Sequence, residues 1–319
     1  MPDNPTITAV IPTHNRVASL PSAIDSVLGQ ILPVEELIVV DDGSDDGTAE
    51  MLTRRYAQET RLRVLQQANR GVSAARNLAI RQARGDWIAL LDSDDRWYPG
   101  KLERQFAALT RAEDHDGEVF RFCHCDENWT RNGRFVNPKT RHRKPGGDVF
   151  AASLALCAIS PSAAVIATSL LDETGLFDET LPACEDYDLW LRIAARERVL
   201  YVDEKLLEKT GGHADQLSRR YPAMDLFRLR AQAKLLLSGI LDTSQTTLTR
   251  ASFRERFVIY ARGALRRGRS DEVSDLLTEW EYCLGNAREQ VRAELEAFDA
   301  SLNASRTDLR AGAGTHRNN

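Results

Sequence analysis

The sequence predicts an α/β fold with a mostly parallel sheet flanked by helices, followed by a helical C-terminal region. Over roughly the first 110 residues, short apolar runs alternate with helical stretches, and each run ends in a polar loop. After about residue 218 the apolar residues recur every three or four positions, which is typical of helices packed on one another. We therefore expect an α/β domain over 1–217, a helical region over 218–302 and a disordered tail over 303–319.

The first elements follow from local patterns. The run TITAVI (6–11) predicts a strand, and the stretch 17–29 predicts a helix because its apolar residues are spaced by three or four. ELIVV (36–40) predicts the second strand. Asp45 or Asp46 then opens a helix, since acidic groups favour the positive helix N-terminus. LRVLQQ (62–67) predicts the third strand.

A helix is expected over 72–83 with Gly85 as its C-cap, before a strand in the stretch GDWIALLDSDDRW (85–97). From about Gly117 the pattern changes to shorter, mixed β segments. SAAVIAT (162–168) predicts a further strand. EDYDLWLRIAARE (185–197) predicts a helix.

Composition restricts the class of protein. The chain has 319 residues, 42% of them hydrophobic, which suffices for one sizeable core and a smaller unit. A net charge of -5 argues against wholesale nucleic-acid binding. Five cysteines form no CxxC pair, which favours a reduced, cytoplasmic protein. We expect neither a membrane span nor an export signal, because no apolar run reaches ~20 residues.

Three carboxylates follow one apolar run. Asp92, Asp94 and Asp95 come directly after WIALL, although like charges a few ångströms apart repel by roughly 1 kcal/mol in water and about 4 kcal/mol at an intermediate dielectric. Mg²⁺ or Mn²⁺ prefers carboxylate oxygens and keeps positions open for the phosphates of a nucleotide. The pattern therefore favours a divalent-cation site, and the alternative is a solvated acidic turn that caps the next helix, expected near Tyr98.

Five motifs occur in an order that resembles the family 2 glycosyltransferases of the GT-A fold, whose sheet is Rossmann-like. They are VIPTHNR (10–16), VVDDGSDDGT (39–48), NRGVSAARNLAI (69–80), GDWIALLDSDD (85–95) and EDYDLWLR (185–192). The resemblance covers most of residues 6–215 and nothing after about 218. It implies an inverting, metal-dependent transfer of a sugar from a nucleotide diphosphate to an acceptor hydroxyl, in surface polysaccharide or glycan synthesis.

The resemblance also implies which residues bind the donor. Its nucleotide pocket would consist of residues from the first two strand ends, namely Pro12, Thr13, Asn15, Arg16, Asp41 and Asp42. Arg76 would lie close to the diphosphate, since a guanidinium fork matches phosphate oxygens, and its alternative is an exposed helix position. Asp92 and Ser93 would meet the ribose or the donor sugar.

The remaining roles concern the cation and the acceptor. Asp94 would coordinate Mn²⁺ or Mg²⁺, and His213, on a loop after two glycines, would complete the metal shell or remain an ordinary loop histidine. Asp186 would be the general base that takes the proton from the acceptor hydroxyl, with Trp190 one turn along to supply apolar surroundings. Glu185 and Asp188 compete for that role.

Alternatives and partners stay open. A nucleotidyltransferase would show a glycine-rich loop near the first strand, which IPTHNRVASL lacks, and a non-catalytic sugar-nucleotide binder would keep the acidic residues without turnover. We expect UDP as the nucleotide, with GDP or dTDP as alternatives, and a saccharide or lipid-linked acceptor. The basic stretches at 139–144 and 254–269 suit an acidic acceptor or a peripheral membrane contact, or form solvated faces. The helical region could also form a homodimer.

Overall fold

The computed structural model describes residues 5–136, 143–212, 221 and 223–314. It divides into two compact units, Met1–Pro222 and Ala223–Asn319. The boundary lies five residues after the one that the change of pattern predicts. The first unit confirms the predicted α/β class.

Within the described part of the chain, nine strands form one mixed sheet in the order β3-β2-β1-β4-β8-β6-β9-β5, with β7 paired to β6. Their bounds are β1 Ile7–Thr13, β2 Glu36–Asp41, β3 Leu62–Gln66, β4 Trp87–Leu90, β5 Arg96–Trp97, β6 Phe122–Arg131, β7 Arg134–Val136, β8 Val165–Ala167 and β9 Leu200–Gly211. The strands β3, β2, β1 and β4 are parallel, whereas β8 is antiparallel to both β4 and β6. β9 is parallel to β6 and antiparallel to β5.

The parallel half of the sheet explains why its first two strands read as continuous apolar runs. Every residue of β1 and β2 is buried, as expected for strands that have helices on both faces. The register pairs Thr13 with Asp41 and Asp41 with Gln66. The polar ends of these strands therefore meet at one edge of the sheet, where open α/β sheets bind their ligands.

Seven helices belong to the described part of the first unit. Their bounds are α1 Leu20–Leu28, α2 Thr48–Arg55, α3 Val72–Gln82, α4 Lys101–Asp116, α5 Phe150–Ala155, α6 Thr168–Thr174 and α7 Glu185–Ala194. Two of the predicted starts are early. The first helix begins at Leu20, not at residue 17, and α4 begins at Lys101, not near Tyr98.

Gly85 does not cap α3, contrary to the prediction. The helix ends at Gln82 with Ala83 as its C-cap, and the glycine lies against β1, where a Cβ atom would come within 2.6 Å of the backbone nitrogen of Thr8. A glycine is therefore needed for close packing of two backbones. The strand predicted over 162–168 is also shorter, because Pro161–Ala163 forms a 3₁₀ turn before β8.

The second unit is helical, as its apolar spacing predicts. Its helices are α8 Met224–Leu237, α9 Thr243–Arg266, α10 Ser270–Glu279, α11 Glu281–Leu284 and α12 Arg288–Gly314. Phe253, Phe257 and Trp280 form an aromatic cluster in its core. The helix α12 continues to Gly314, into the stretch where composition predicts a disordered tail. Among the helices described in either unit, none has the length and apolar character that crossing a membrane would require.

Candidate active site

The loops after β1 and β2 are locked together by hydrogen bonds. The backbone nitrogen of Asn15 donates to Oγ of Ser44 (2.9 Å), and that of Asp45 donates to Oδ1 of Asn15 (2.9 Å). Asn15 holds φ at 52°, a left-handed conformation that asparagine tolerates better than most residues. Pro12 and Thr13 are buried behind this loop, and Arg16 is half-buried. The structure thus brings the predicted nucleotide-binding residues of the first strand end against those of the second.

The two aspartates at the end of β2 accept hydrogen bonds from different loops. Oδ1 of Asp41 accepts a hydrogen bond from the backbone nitrogen of Ser44 (3.0 Å) and so shapes its own loop. Asp42 accepts bonds from the backbone nitrogens of Arg70 and Gly71 (both 2.8 Å) and from Gln67 (2.7 Å). Both are buried. Asp42 therefore fixes the turn that opens α3.

Arg76 on α3 lies between two groups of carboxylates, which we together call the acidic edge: Asp92, Asp94 and Asp95 after β4, and Glu185 and Asp186 at the start of α7. One terminal nitrogen donates to Oδ1 of Asp92 (2.7 Å) and the other to Oε1 of Glu185 (2.8 Å), while the guanidinium lies over the ring of Phe177. Its side chain is only 3% exposed, so the alternative of an exposed helix position is wrong. Burial alone would lower the pKa of Arg76, but the attraction of Asp92 and Glu185 outweighs it and raises the pKa.

The end of β4 delivers the acidic residues that the sequence singles out. Asp92 and Asp94 are half-buried, whereas Ser93 and Asp95 are buried. Asp95 accepts hydrogen bonds from Oγ of Ser162 (2.5 Å) and from the backbone nitrogen of Thr210 (2.8 Å). Burial and the charge of Asp92 raise the pKa of Asp95 well above its ordinary value. Asp95 therefore joins β4 to the end of β9.

The candidate base lies in the first turn of α7. Asp186 is half-buried; its Oδ1 accepts from the backbone nitrogen of Tyr187 (2.7 Å), and its Oδ2 accepts from the thiol of Cys157 (3.4 Å). Trp190, one turn along, is buried and donates to the carbonyl of Ile159. The competitor Glu185 is buried, and burial together with the charge of Asp186 raises its pKa. Of the two, only Asp186 is partly exposed to solvent.

The segment 157–162 connects the parts of the site, and sequence reasoning missed it. Besides the contact of Cys157 with Asp186, Oγ of Ser160 accepts from Nζ of Lys209 (3.0 Å), and Oγ of Ser162 accepts from the backbone nitrogen of Asp92 (3.0 Å). No motif marks these residues, since CAISPS contains only small and apolar side chains. Asp188, the other competitor, forms an ion pair with Arg192 on the same helix and is buried.

The donor set fits a hard divalent cation that shares its ligands with phosphate. Asp94 and Asp92 offer carboxylate oxygens at a half-buried position, and Mg²⁺ is commonly held by one or two carboxylates together with phosphates and water. Within the residues that the structure covers, no group of three His, Cys, Asp or Glu side chains is arranged to hold a metal ion by itself. His213 lies outside the described residues, so its predicted role is untested.

Several basic side chains of the two basic segments form ion pairs where the structure describes them. Residues 139–142 lie outside the described part, but Lys144 forms a buried ion pair with Glu127 (2.9 Å) and is not solvent-exposed. In the second unit, Arg262 pairs with Glu294 and Arg269 with Glu272. Contact with a lipid surface and a homodimer stay predictions.

Comparison with known proteins identifies the family. The model described as glycosyl transferase family 2 matches residues 8–167, which is half of the chain. The chain belongs to glycosyl transferase family 2. An uncharacterised glycosyltransferase of Rickettsia prowazekii is 32% identical over 213 residues, 67% of this chain and 66% of that protein. TuaG of Bacillus subtilis, a putative teichuronic acid biosynthesis glycosyltransferase, is 38% identical over 102 residues, 32% of this chain and 40% of that protein.

A solved structure shows that the family 2 transferase has the GT-A fold. A crystal structure of residues 1–349 of S. aureus TarS in complex with UDP-GlcNAc matches with a TM-score of 0.73 and 19% identity, over 95% of this chain and 92% of that chain. The match extends past residue 218, where the sequence resemblance ends. The chain spans between 31% and 66% of the length of the first curated relatives that it matches.

Proposed function

We propose that this family 2 transferase moves a sugar from a UDP-sugar to an acceptor hydroxyl with inversion at the anomeric carbon, using a divalent cation at Asp94. One observation carries the proposal. Arg76 joins Asp92 at the end of β4 to Glu185 at the start of α7. The cation-side carboxylates, Asp92 and Asp94, therefore lie on the same edge of the sheet as the candidate base Asp186, the residue after Glu185. An inverting transfer needs a leaving-group site and a base within one substrate length of each other.

Asp186 acts as the general base in this proposal. It takes the proton from the acceptor hydroxyl while that oxygen attacks the anomeric carbon from the face opposite the leaving diphosphate. The Cys157 thiol and the backbone nitrogen of Tyr187 hold its carboxylate in one orientation. Asp186 lies in the first turn of α7, where an acidic side chain interacts favourably with the helix dipole.

The donor is held by the opposite part of the edge. The locked loops after β1 and β2, with Asp41, Asn15 and Arg16, surround the base and ribose, and Asp92 and Ser93 contact the ribose or the sugar. A divalent cation bound at Asp94 supplies charge neutralisation of the departing diphosphate. Arg76 keeps Asp92 in position for the donor, since one of its terminal nitrogens binds Asp92 and the other binds Glu185.

The relatives support the nucleotide and the biological setting. TarS is solved with UDP-GlcNAc and with UDP, and TuaG is named for teichuronic acid biosynthesis. We therefore infer a UDP-sugar donor and a saccharide or lipid-linked acceptor in surface polysaccharide synthesis. All five cysteines lie in the described residues and none is in a disulfide, which supports a cytoplasmic location.

A thermal-shift experiment tests the cation and the nucleotide together. We expect UDP to raise the Tm of the wild-type protein only when Mn²⁺ or Mg²⁺ is present, because diphosphate and carboxylates repel each other without it. Asp94→Ala should abolish the rise in Tm that UDP causes in the presence of the cation. The control is Asp172→Ala, which deletes an exposed carboxylate of α6 and should respond as the wild type does.

A turnover experiment tests the base. The wild type should release UDP slowly from UDP-GlcNAc in the presence of Mn²⁺, with water as the acceptor, and Asp186→Asn should lower that rate by about 10²-fold or more without weakening UDP binding. A wild type that binds UDP but releases none from any UDP-sugar would be a non-catalytic binder. Equal Tm shifts in the wild type and in Asp94→Ala would refute the proposal that Asp94 binds the cation.

A further inference from the structure

Lys209 places a positive charge at the acidic edge, and the proposed function gives it no role. Its Nζ donates to Oγ of Ser160 (3.0 Å), and in the β6–β9 register it stands opposite Trp129. The next residue, Thr210, donates its backbone nitrogen to Oδ1 of Asp95. The ammonium group is therefore anchored at the point where β9 meets the end of β4.

The surroundings of Lys209 keep it charged. Burial alone would lower its pKa, but the carboxylates of Glu127, Asp95, Asp92 and Asp186 outweigh burial and raise the pKa. Glu127 is itself fixed, because it is buried in an ion pair with Lys144. The ammonium thus lies within electrostatic range of both the cation-side carboxylates and the candidate base.

A divalent cation at Asp94 would share these carboxylates with Lys209. Both terminal nitrogens of Arg76 are engaged by Asp92 and Glu185, and both oxygens of Asp95 accept hydrogen bonds from the chain. Lys209 repels a second cation placed among the same side chains, and because water reaches the half-buried Asp94, this repulsion is screened to one that changes the dissociation constant severalfold. A diphosphate that arrives with the cation adds negative charge and offsets the repulsion.

We propose that Lys209 is a positioning residue that balances the charge of the acidic edge in the nucleotide-free protein and makes binding of a divalent cation depend on the nucleotide diphosphate. The proposal rests on the proposed function for the identity of the ligand. The new element is the role of Lys209: when no donor and no divalent cation are bound, its ammonium group neutralises part of the carboxylate charge that the cation would otherwise neutralise. The cation then binds tightly only together with the diphosphate.

Mn²⁺ binding to the nucleotide-free protein tests the charge balance directly. The loss of the free Mn²⁺ electron paramagnetic resonance signal gives the dissociation constant for the wild type and for Lys209→Met, which removes the charge at similar length. We expect Lys209→Met to bind Mn²⁺ about fivefold more tightly, because one repelling charge is gone. Lys209→Arg should return the wild-type value. Lys209→Gln is a second neutral variant should Lys209→Met not fold.

Lys205→Met is the matched control. Lys205 lies on the same strand, is exposed, and has its ammonium over the ring of Phe135, away from the acidic edge. Its loss changes the net charge of the protein by the same amount, and we expect it to leave the dissociation constant for Mn²⁺ unchanged. Circular dichroism and Tm establish that each variant is folded.

Adding UDP completes the test. UDP should tighten Mn²⁺ binding at least tenfold in the wild type and by a smaller factor in Lys209→Met, whose free form already binds the ion better. Folded Lys209→Met protein that binds Mn²⁺ as weakly as the wild type, or more weakly, would overturn the proposal. If UDP leaves Mn²⁺ affinity unchanged in the wild type, the proposed function fails, whereas the comparison without nucleotide still decides the charge-balancing role of Lys209.

Discussion

Replacing Arg76 by methionine tests the interaction that joins the two acidic segments. The side chain is 3% exposed and forms ion pairs of 2.7 Å with Asp92 and 2.8 Å with Glu185. Methionine has a similar length and keeps the packing on Phe177, so the variant removes mainly the charge and the donors. Two carboxylates then face each other without a cation between them.

The expected cost is about 3–5 kcal/mol of unfolding free energy at pH 7, the range measured when one partner of a buried ion pair is removed. The Glu185 carboxylate, 7% exposed, accounts for most of it, because Asp92 is 28% exposed and keeps water on one side. The pKa of Glu185 is already raised by burial and by Asp186, and it rises further without Arg76. In the folded variant Glu185 therefore keeps a proton that it has released in the unfolded chain. The stability of the variant falls as pH rises above the pKa that Glu185 has in the unfolded chain. The difference from wild type should shrink as pH falls toward that value.

Urea unfolding followed by tryptophan fluorescence measures this cost, since four of the five tryptophans belong to the first unit. Arg81→Met, on the same helix, is the control: Arg81 is exposed and 3.5 Å from Glu179, so it should cost less than about 1 kcal/mol. Glu185→Gln combined with Arg76→Met should restore part of the loss. A cost below about 1 kcal/mol for Arg76→Met, or one that does not change between pH 7 and pH 5, would refute the reasoning.

Two further predictions concern stability away from the site. Gly85→Ala should destabilise the protein by about 2 kcal/mol or more in the same assay, because a Cβ atom would lie 2.6 Å from the Thr8 nitrogen, whereas Gly100→Ala, with its nearest neighbour at 3.9 Å, should change stability by less than about 1 kcal/mol. Burial lowers the pKa of Lys101 from 10.5 to about 8, so the unfolded chain binds its proton more tightly between these values and stability rises with pH there. Between pH 7.5 and 9.5 the wild type should gain about 2 kcal/mol relative to Lys101→Met, and equal pH dependence in the two proteins would contradict this.

The parallel half of the sheet could be predicted because its signals are local. Each of the first four strands is a short segment rich in apolar residues that ends in polar ones. The structure places the ends of the first three within two residues of their predictions, and the fourth lies inside its predicted stretch 85–97. The antiparallel half could not be predicted in the same way. β5 has two residues and exists only because Arg96 and Trp97 pair with β9, more than a hundred residues later. Such a strand is defined by its partner and not by its own sequence.

In the site, too, the local sequence marks some residues, whereas contacts with distant elements decide the rest. The acidic residues of β4 and α7 occur in motifs, so the sequence proposes them without knowledge of the fold. Arg76 also occurs in a motif, but the motif does not show which residues it meets: it pairs with Glu185 across 109 positions of sequence. Ser162, which no motif marks, meets Asp95 across 67 positions. Lys209 is one of two lysines in its strand. Which polar residue faces a carboxylate is decided by the register of distant strands, and a single sequence does not contain that information in local form.

The observed partners explain how three aspartates can follow one buried strand. The acidic edge contains five carboxylates, namely Asp92, Asp94, Asp95, Glu185 and Asp186, and two cations of the chain, Arg76 and Lys209, lie among them. The five carboxylates outnumber the two cations, and burial, together with the charge of Asp92 on Asp95 and of Asp186 on Glu185, raises the pKa values of Asp95 and Glu185. A nucleoside diphosphate would add at least two negative charges to an edge that is already too negative. In the proposed function a divalent cation at Asp94 offsets this charge, so we expect the cation and the diphosphate to bind as one unit.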